Sequence, residues 1–171
     1  MSYNVKTGRR TPPREVDEFR TFEDLVVYKA ARELRKKMYA ITRQLSEFEK
    51  FELASQARRA ALSLTNNIDE GHGRYHFADQ VRFFLAARGS LQELVDDLNV
   101  CDDEKYLETD KIAKLKNEAW RVLGLINGYL RYLRDRKKDD RSTVGEGDYT
   151  SVEKDEALAR LDEALNFLAP F

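Results

Sequence analysis

The side chains that could bind a metal ion are few in this sequence. The two histidines, His72 and His76, lie four residues apart, and Asp69 precedes His72 by three residues, a spacing that metal-binding helical bundles use. A di-metal site of that kind needs a second such motif and two further carboxylates, and the sequence has no other histidine. Because Gly71 and Gly73 also interrupt the segment, we interpret both histidines as loop residues and predict no metal site.

Covalent catalysis has equally little support. Cys101 is the only cysteine, and it falls among apolar residues at helical spacing, which is typical of a buried structural thiol. A single cysteine forms no internal disulfide and fits a reducing compartment, so we expect a cytoplasmic protein. No glycine-rich phosphate loop of the Walker type is present. The sequence therefore predicts no catalytic residue and no cofactor.

Basic residues are concentrated in the first half of the chain. Residues 28–88 contain twelve basic and seven acidic residues, a net charge of +5, whereas residues 89–171 contain thirteen and nineteen, a net charge of -6. This asymmetry either provides a surface for a polyanion or lets two oppositely charged halves of the protein pair with each other. Both interpretations stay open at this point.

Six basic residues are candidates for binding nucleic acid. Arginine and lysine side chains on helices can neutralise phosphates without reading the base sequence. The same side chains on outward positions also keep a helical bundle in solution, often paired with acidic neighbours. The candidate nucleic-acid-binding residues are Arg35, Lys36, Lys37, Arg58, Arg59 and Arg74.

The elements that must position these residues are long amphipathic helices. Apolar residues alternate at intervals of three and four, as in Val27, Ala31, Leu34, Met38, Ile41, Leu45 and Phe48. The pattern predicts helices beginning near Thr21 and over residues 51–70, 76–102 and 109–136, with Thr21 and Asp24 forming a capping box and Gly71–Gly73 ending the second helix. Four such helices with short connections predict an all-α, up-down-up-down antiparallel four-helix bundle over residues 21–136.

The flanking segments differ from the bundle in composition. Residues 1–20 form a basic arm that we expect to be largely disordered, and residues 137–150 have the polar, aperiodic composition of a flexible linker. Residues 151–171 become periodic again and predict an additional C-terminal amphipathic helix, which could dock on its own bundle, on a neighbouring subunit or on another protein. The chain has no apolar run long enough to cross a membrane, so no membrane association is expected.

Three segments resemble a known family. Residues 55–74, SQARRAALSLTNNIDEGHGR, resemble the signature SQxRRAAxSxxxNIxEGxGR of the four-helix-bundle proteins first met as products of intervening sequences in large-subunit ribosomal RNA genes. Residues 83–94, FFLAARGSLQEL, look like that family's FFxxAxGSxxEL, and residues 24–28, DLVVY, look like its DLxVW/Y opening. The resemblance covers about residues 20–135.

The resemblance implies a function as well as a fold. Members of this family form ring-like homopentamers, and the family includes the accessory variability proteins of diversity-generating retroelements, which bind nucleic acid and partner a reverse transcriptase. The resemblance thus implies a non-enzymatic, pentameric accessory protein that binds RNA or DNA. The alternative function is an oligomeric scaffold or adaptor that binds a protein partner without nucleic acid.

Five residues of the two long motifs are candidates for structural or assembly roles. Asn67 and Glu70, with Arg74, can tie the end of the second helix to a neighbouring helix or subunit. Arg88 lies seven residues from both Val81 and Val95, so it should face a seam, either paired with an acidic group or lining an assembly surface. Gly89 and Ser90 remove side-chain bulk where another helix approaches.

The sequence also departs from the family pattern. Thr65 stands where the family commonly has proline, which should leave the second helix straighter. Asp69 places a second acidic residue beside Glu70, which weakens the case for phosphate binding by residues 66–74. The acidic extension after residue 136 lies outside the family core and could cover a basic surface.

Overall fold

The computed structural model describes residues 21–143, with the side chains described as far as residue 137. This part of the chain consists of four α-helices: α1 (Val26–Thr42), α2 (Leu53–Gly73), α3 (Phe77–Asp103) and α4 (Thr109–Thr143). Two short 3-10 helices, Phe22–Asp24 and Glu47–Lys50, precede α1 and α2. The predicted N-terminal arm and C-terminal helix lie outside the described residues.

The four helices form the antiparallel bundle that the sequence predicts. Each helix packs against the next along the chain, and α1 also packs against α4, which closes the bundle. The direction follows from the pairs between α1 and α4: Lys37 contacts Glu118, whereas Gln44, seven residues later, contacts the earlier residue Lys111. The core is built from the apolar stripes, and α2 contributes small residues, Ala54, Ala57, Ala60 and Ala61, that let α3 approach closely.

Several predicted boundaries are wrong. The capping box of Thr21 and Asp24 forms, but it caps the short 3-10 helix, and α1 begins only at Val26 after the extended residue Leu25. Because α1 ends at Thr42, Phe48, the last residue of the predicted apolar stripe, lies in the connection to α2 with 83% of its surface exposed. The helix α4 continues to Thr143, so the predicted linker cannot begin at residue 137.

The glycines at the end of α2 act differently from the prediction. The helix runs through His72 to Gly73, and no glycine of the described range has a positive φ, so the expected left-handed cap is absent there. Gly71 is needed for another reason: a Cβ atom at this position would lie 2.8 Å from Cδ2 of the buried Phe84 ring on α3. Glycine therefore allows α2 and α3 to come close together at this end of the bundle.

Candidate nucleic-acid interface

A cationic groove runs along the outer side of α1. It has a volume of about 360 Å³ and is lined by Arg35, Lys36, Tyr39, Ala40 and Arg43, with no acidic residue among these five. This arrangement concentrates positive charge on a concave surface with one aromatic ring. Arg43, which directly follows the last residue of α1, was not among the six candidates from the sequence, although it continues the run of basic residues on this helix.

Arg35 is held in a fixed position in this groove. Its Nη1 donates a hydrogen bond of 2.7 Å to Oγ1 of Thr65 on α2, and the Thr65 hydroxyl donates to the carbonyl oxygen of Leu62 at 3.0 Å. Thr65 itself is buried. Thr65 thus connects α2 to the groove on α1.

Lys36 lies in the same groove but already has an acidic neighbour. Its Nζ is 2.6 Å from Oε1 of Glu33, and both side chains are more than half exposed. The hydrogen bond from Lys36 lowers the pKa of the Glu33 carboxyl. Exposed pairs of this kind contribute little to stability, so Lys36 can exchange this carboxylate for a phosphate.

Lys37 lies on a different side of the bundle from Arg35 and Lys36. Its ammonium group pairs with the carboxylate of Glu118 on α4. Successive helical residues point about 100° apart, so three consecutive basic residues cannot share one face. The prediction that these three side chains form one cluster is therefore wrong for Lys37.

The arginines of α2 occupy its two ends. Near the start of the helix, the Arg58 side chain donates to the carbonyl oxygen of Lys50 at 3.3 Å, and the Arg59 side chain donates to Oε1 of Gln56 at 2.6 Å. Arg74 follows the last residue of α2, about 24 Å away along the axis at 1.5 Å per residue. The structure therefore does not bring all six candidate residues together.

The predicted structural residues Asn67 and Ser90 share one hydrogen-bond network. Ser63 of α2 is the link, because its Oγ accepts from Ser90 of α3 at 2.9 Å and from Nδ2 of Asn67 at 3.1 Å. Asn67 also donates to the carbonyl oxygen of Ser63 at 2.8 Å. The role of Ser63 was not predicted from the sequence. Its place in the family-like signature, next to the buried Leu64, could have indicated that this hydroxyl has a structural role.

The end of α2 is tied to α3 by stacking. Glu70 and Arg74 form an ion pair of 3.3 Å within one turn, so this pair does not reach a neighbouring helix. The Arg74 guanidinium instead lies 4.6 Å from the centroid of the Phe83 ring on α3, a cation–π contact.

Arg88 and Gly89 are adjacent residues of α3 with different surroundings. Arg88 is half-buried, and its Nε is buried without a hydrogen-bond partner among the described residues. Gly89 is exposed, and a Cβ atom added there would meet nothing within 4 Å. No helix of the described bundle approaches Gly89, so the predicted close approach is not made within this protomer.

Buried acidic residues gather near the opposite end, where α1 meets α2. Glu49 is buried and accepts a hydrogen bond of 2.6 Å from the Tyr106 hydroxyl, which raises the pKa of Tyr106 to about 12. On α3, Asp97 is 8% exposed and its Oδ2 has no hydrogen-bond partner in the described chain. Desolvation, with the nearby charges of Asp96 and Glu93, raises its pKa to about 6. The burial of Glu49 and Asp97 was not predicted from the sequence.

Cys101 is a buried free thiol, as predicted. Burial, with the nearby charges of Asp97 and Glu49, raises its pKa to about 11, so the unreactive thiol form dominates near neutral pH. His72 lies in the last turn of α2 rather than in a loop, and His76 occupies the position before α3 without a capping hydrogen bond from its side chain. Among residues 21–143, no group of three or more His, Cys, Asp or Glu side chains is placed to hold a metal ion. None of the described helices is both long and apolar enough to cross a membrane.

The fold and this cationic groove define the class of protein: an antiparallel four-helix bundle with a basic outer surface on its first helix. Within that class, a family model described as 23S rRNA-intervening sequence protein matches residues 23–128. The chain belongs to this family, which confirms the resemblance of its motifs.

Comparison with solved structures agrees with this fold. A crystal structure from Bacteroides thetaiotaomicron, described as a protein with unknown function from the S23 ribosomal protein family, is similar with a TM-score of 0.58 and 19% sequence identity. The match covers 61% of this chain and 98% of the other. Nothing among curated proteins matches this sequence. Neither description names an enzymatic activity.

Proposed function

We propose that this protein is a non-enzymatic accessory protein of the cytoplasm that binds RNA or DNA through the cationic groove on α1. The observation that carries this proposal is the lining of the groove, which contains Arg35, Lys36 and Arg43 and no acidic residue among those described, although Lys36 also pairs with the exposed Glu33 beside the groove. Arg35 is oriented in advance by its bond to Thr65, so it loses little conformational freedom on binding a phosphate. Arg58 and Arg59 on α2 are further candidates for phosphate contacts in this proposal.

The test is binding of fluorescent duplex DNA and structured RNA across a salt series. Lys36 and Arg43 are exposed, so replacing both with alanine should remove phosphate contacts without disturbing the core. For duplex DNA we expect weaker binding. The slope of log affinity against log salt should become shallower by about 0.9 for each phosphate that the variant no longer neutralises.

The matched control removes the same charge from another face of the bundle. Lys114 and Arg121 on α4 are also exposed, so Lys114→Ala with Arg121→Ala should leave the salt slope unchanged. An equal reduction of affinity in both double variants would show that net charge, and not the groove, drives binding. Absence of binding by the native protein at low salt would refute the proposal and favour the scaffold function.

We also propose that the protein self-assembles through the outer face of α4. Trp120, Gly124 and Gly128 recur at intervals of four and so follow one side of this helix, and Trp120 is 48% exposed. A glycine inside a helix costs about 1 kcal/mol relative to alanine, yet Cβ atoms at both positions would meet nothing within 4 Å. The glycines have no use within the protomer, whereas a second helix could pack closely against them.

Light scattering on the intact protein tests this assembly. The native protein should have a mass several times that of one 19.9 kDa chain, with five copies expected from the family resemblance. Gly124→Leu with Gly128→Leu should reduce the mass to one chain while circular dichroism stays helical. Gly73→Leu is the control, because Gly73 is equally open but lies at the end of α2. A monomeric native protein would refute the assembly.

A further inference from the structure

Exposed aromatic rings lie at the end of the bundle where α2 turns into α3. Tyr75, in this turn, has 93% of its surface exposed, and Tyr132 on the neighbouring part of α4 has 50% exposed. Tyrosine rings in water at such exposure do not contribute to the core. They are available to stack on a ligand.

The ring of Tyr132 is supported by a row of aromatic side chains. The buried Phe84 stacks on Tyr129 with 4.3 Å between centroids and 19° between planes, and Tyr129 contacts Tyr132 at 5.8 Å. Tyr75 packs edge-on against His76 at 5.3 Å. The Tyr132 ring, which this row holds in place, loses little entropy when a ligand stacks on it.

Positive charges accompany these rings. The Arg136 guanidinium lies 5.8 Å from the Tyr132 centroid, with its Nη1 3.5 Å from the tyrosine oxygen, and Arg74 precedes Tyr75 directly. A hollow of about 120 Å³ separates Tyr75 from Arg136. Its lining contains no acidic residue and consists of Tyr75, Phe77, Gln80, Leu133, Arg136 and Lys137.

We propose that this end of the bundle, the aromatic end, binds unpaired bases of single-stranded nucleic acid. Bases stack on Tyr75 and Tyr132 while Arg136 and Arg74 contact the flanking phosphates, the combination that single-strand-binding surfaces use. Gln80, whose amide donates to the Arg74 carbonyl oxygen at 2.6 Å, lies in the hollow where it can reach a base edge. In a duplex the base faces are covered by their neighbours, so only an unpaired base can stack here.

This inference rests on the proposed nucleic-acid-binding function and adds a strand preference and a second contact region to it. The α1 groove contacts phosphates of any nucleic acid, whereas the aromatic end distinguishes single strands from duplexes. The two regions can therefore be tested separately by comparing both kinds of ligand.

The experiment measures binding of fluorescent oligo(rU), oligo(dT) and a duplex of equal length at one salt concentration. Tyr75→Ala with Tyr132→Ala should weaken single-strand binding by about fivefold or more for each stacked base and leave duplex binding unchanged. Tyr75→Phe with Tyr132→Phe keeps the rings and should bind as the native protein does. If the alanine variant binds both oligo(rU) and oligo(dT) more weakly, the site accepts single-stranded RNA and DNA. If it binds only oligo(rU) more weakly, the site accepts RNA.

The matched control uses another exposed aromatic pair of the described chain. Phe48 and Phe51, 83% and 78% exposed in the connection between α1 and α2, lie at the opposite end, so Phe48→Ala with Phe51→Ala should not change single-strand binding. Equal reductions in the two alanine pairs, or none in the tyrosine pair while duplex binding persists, would overturn this inference alone. Absence of binding to every ligand would overturn the proposed function with it.

Discussion

The buried carboxyl group of Asp97 gives a direct test of the electrostatics of this bundle. Its pKa of about 6 lies roughly two units above the ordinary value of 3.8, because burial desolvates the charged form and the charges of Asp96 and Glu93 repel it. Between about pH 4 and pH 6 the folded protein holds a proton that the unfolded chain has released. The free energy of unfolding should therefore fall as the pH rises through this window.

The size of the effect follows from the pKa difference. Each unit corresponds to about 1.4 kcal/mol, so ionised Asp97 should cost on the order of 3 kcal/mol above pH 6. Asp97→Asn removes this cost but keeps the shape of the side chain. Relative to the native protein, the variant should gain about 2 kcal/mol of stability between pH 4.5 and pH 7.5, because part of the cost is already present at pH 4.5, where the unfolded chain has released most of its proton. Urea unfolding at both pH values measures this gain.

The control is Asp79, which lies on the same helix, is exposed and is not among the charges that raise the pKa of Asp97. Asp79→Asn removes the same formal charge and should change the difference in stability between the two pH values much less, since an exposed carboxylate is well solvated. Each variant is compared with the native protein by the change in its free energy of unfolding between the two pH values, so the titration of the other carboxyl groups, which is common to both proteins, cancels. If Asp97→Asn and the native protein lose stability in parallel as the pH rises, the inferred pKa is wrong.

Two further predictions concern packing. Gly71→Ala should destabilise the protein by about 1–3 kcal/mol, because the added Cβ would press on the Phe84 ring. Gly89→Ala places its Cβ in open space and should be neutral or stabilising by up to about 1 kcal/mol. Thermal unfolding of both variants at one protein concentration compares them, and equal effects would contradict the packing of Gly71 against Phe84. Cys101 should react with a maleimide at neutral pH only after denaturation, and fast labelling of the folded protein, followed by mass spectrometry, would contradict its burial.

The fold could be predicted because its signals are local. Apolar residues at intervals of three and four specify a helix and its buried face wherever they occur, so four helices and most core residues followed from the sequence. The errors fall where the pattern continues past its helix, as at Phe48, or where a breaker is tolerated, as at Gly71. At Phe48 no described helix packs over the apolar side chain, so it stays exposed although the pattern favours burial. At Gly71 the packing of α3 holds the helix together although glycine locally favours its end.

The sequence by itself determined the helical class, the buried cysteine and the uneven distribution of charge. Only the tertiary structure decided which charges lie together: Arg35 and Lys36 face a groove, Lys37 pairs with Glu118, and Arg74 stacks at the far end of α2. The physical reason is that neighbours across two helices depend on the register in which those helices pack. That register is set by the fit of the whole core, including the space that Gly71 leaves for Phe84, and no single segment encodes it.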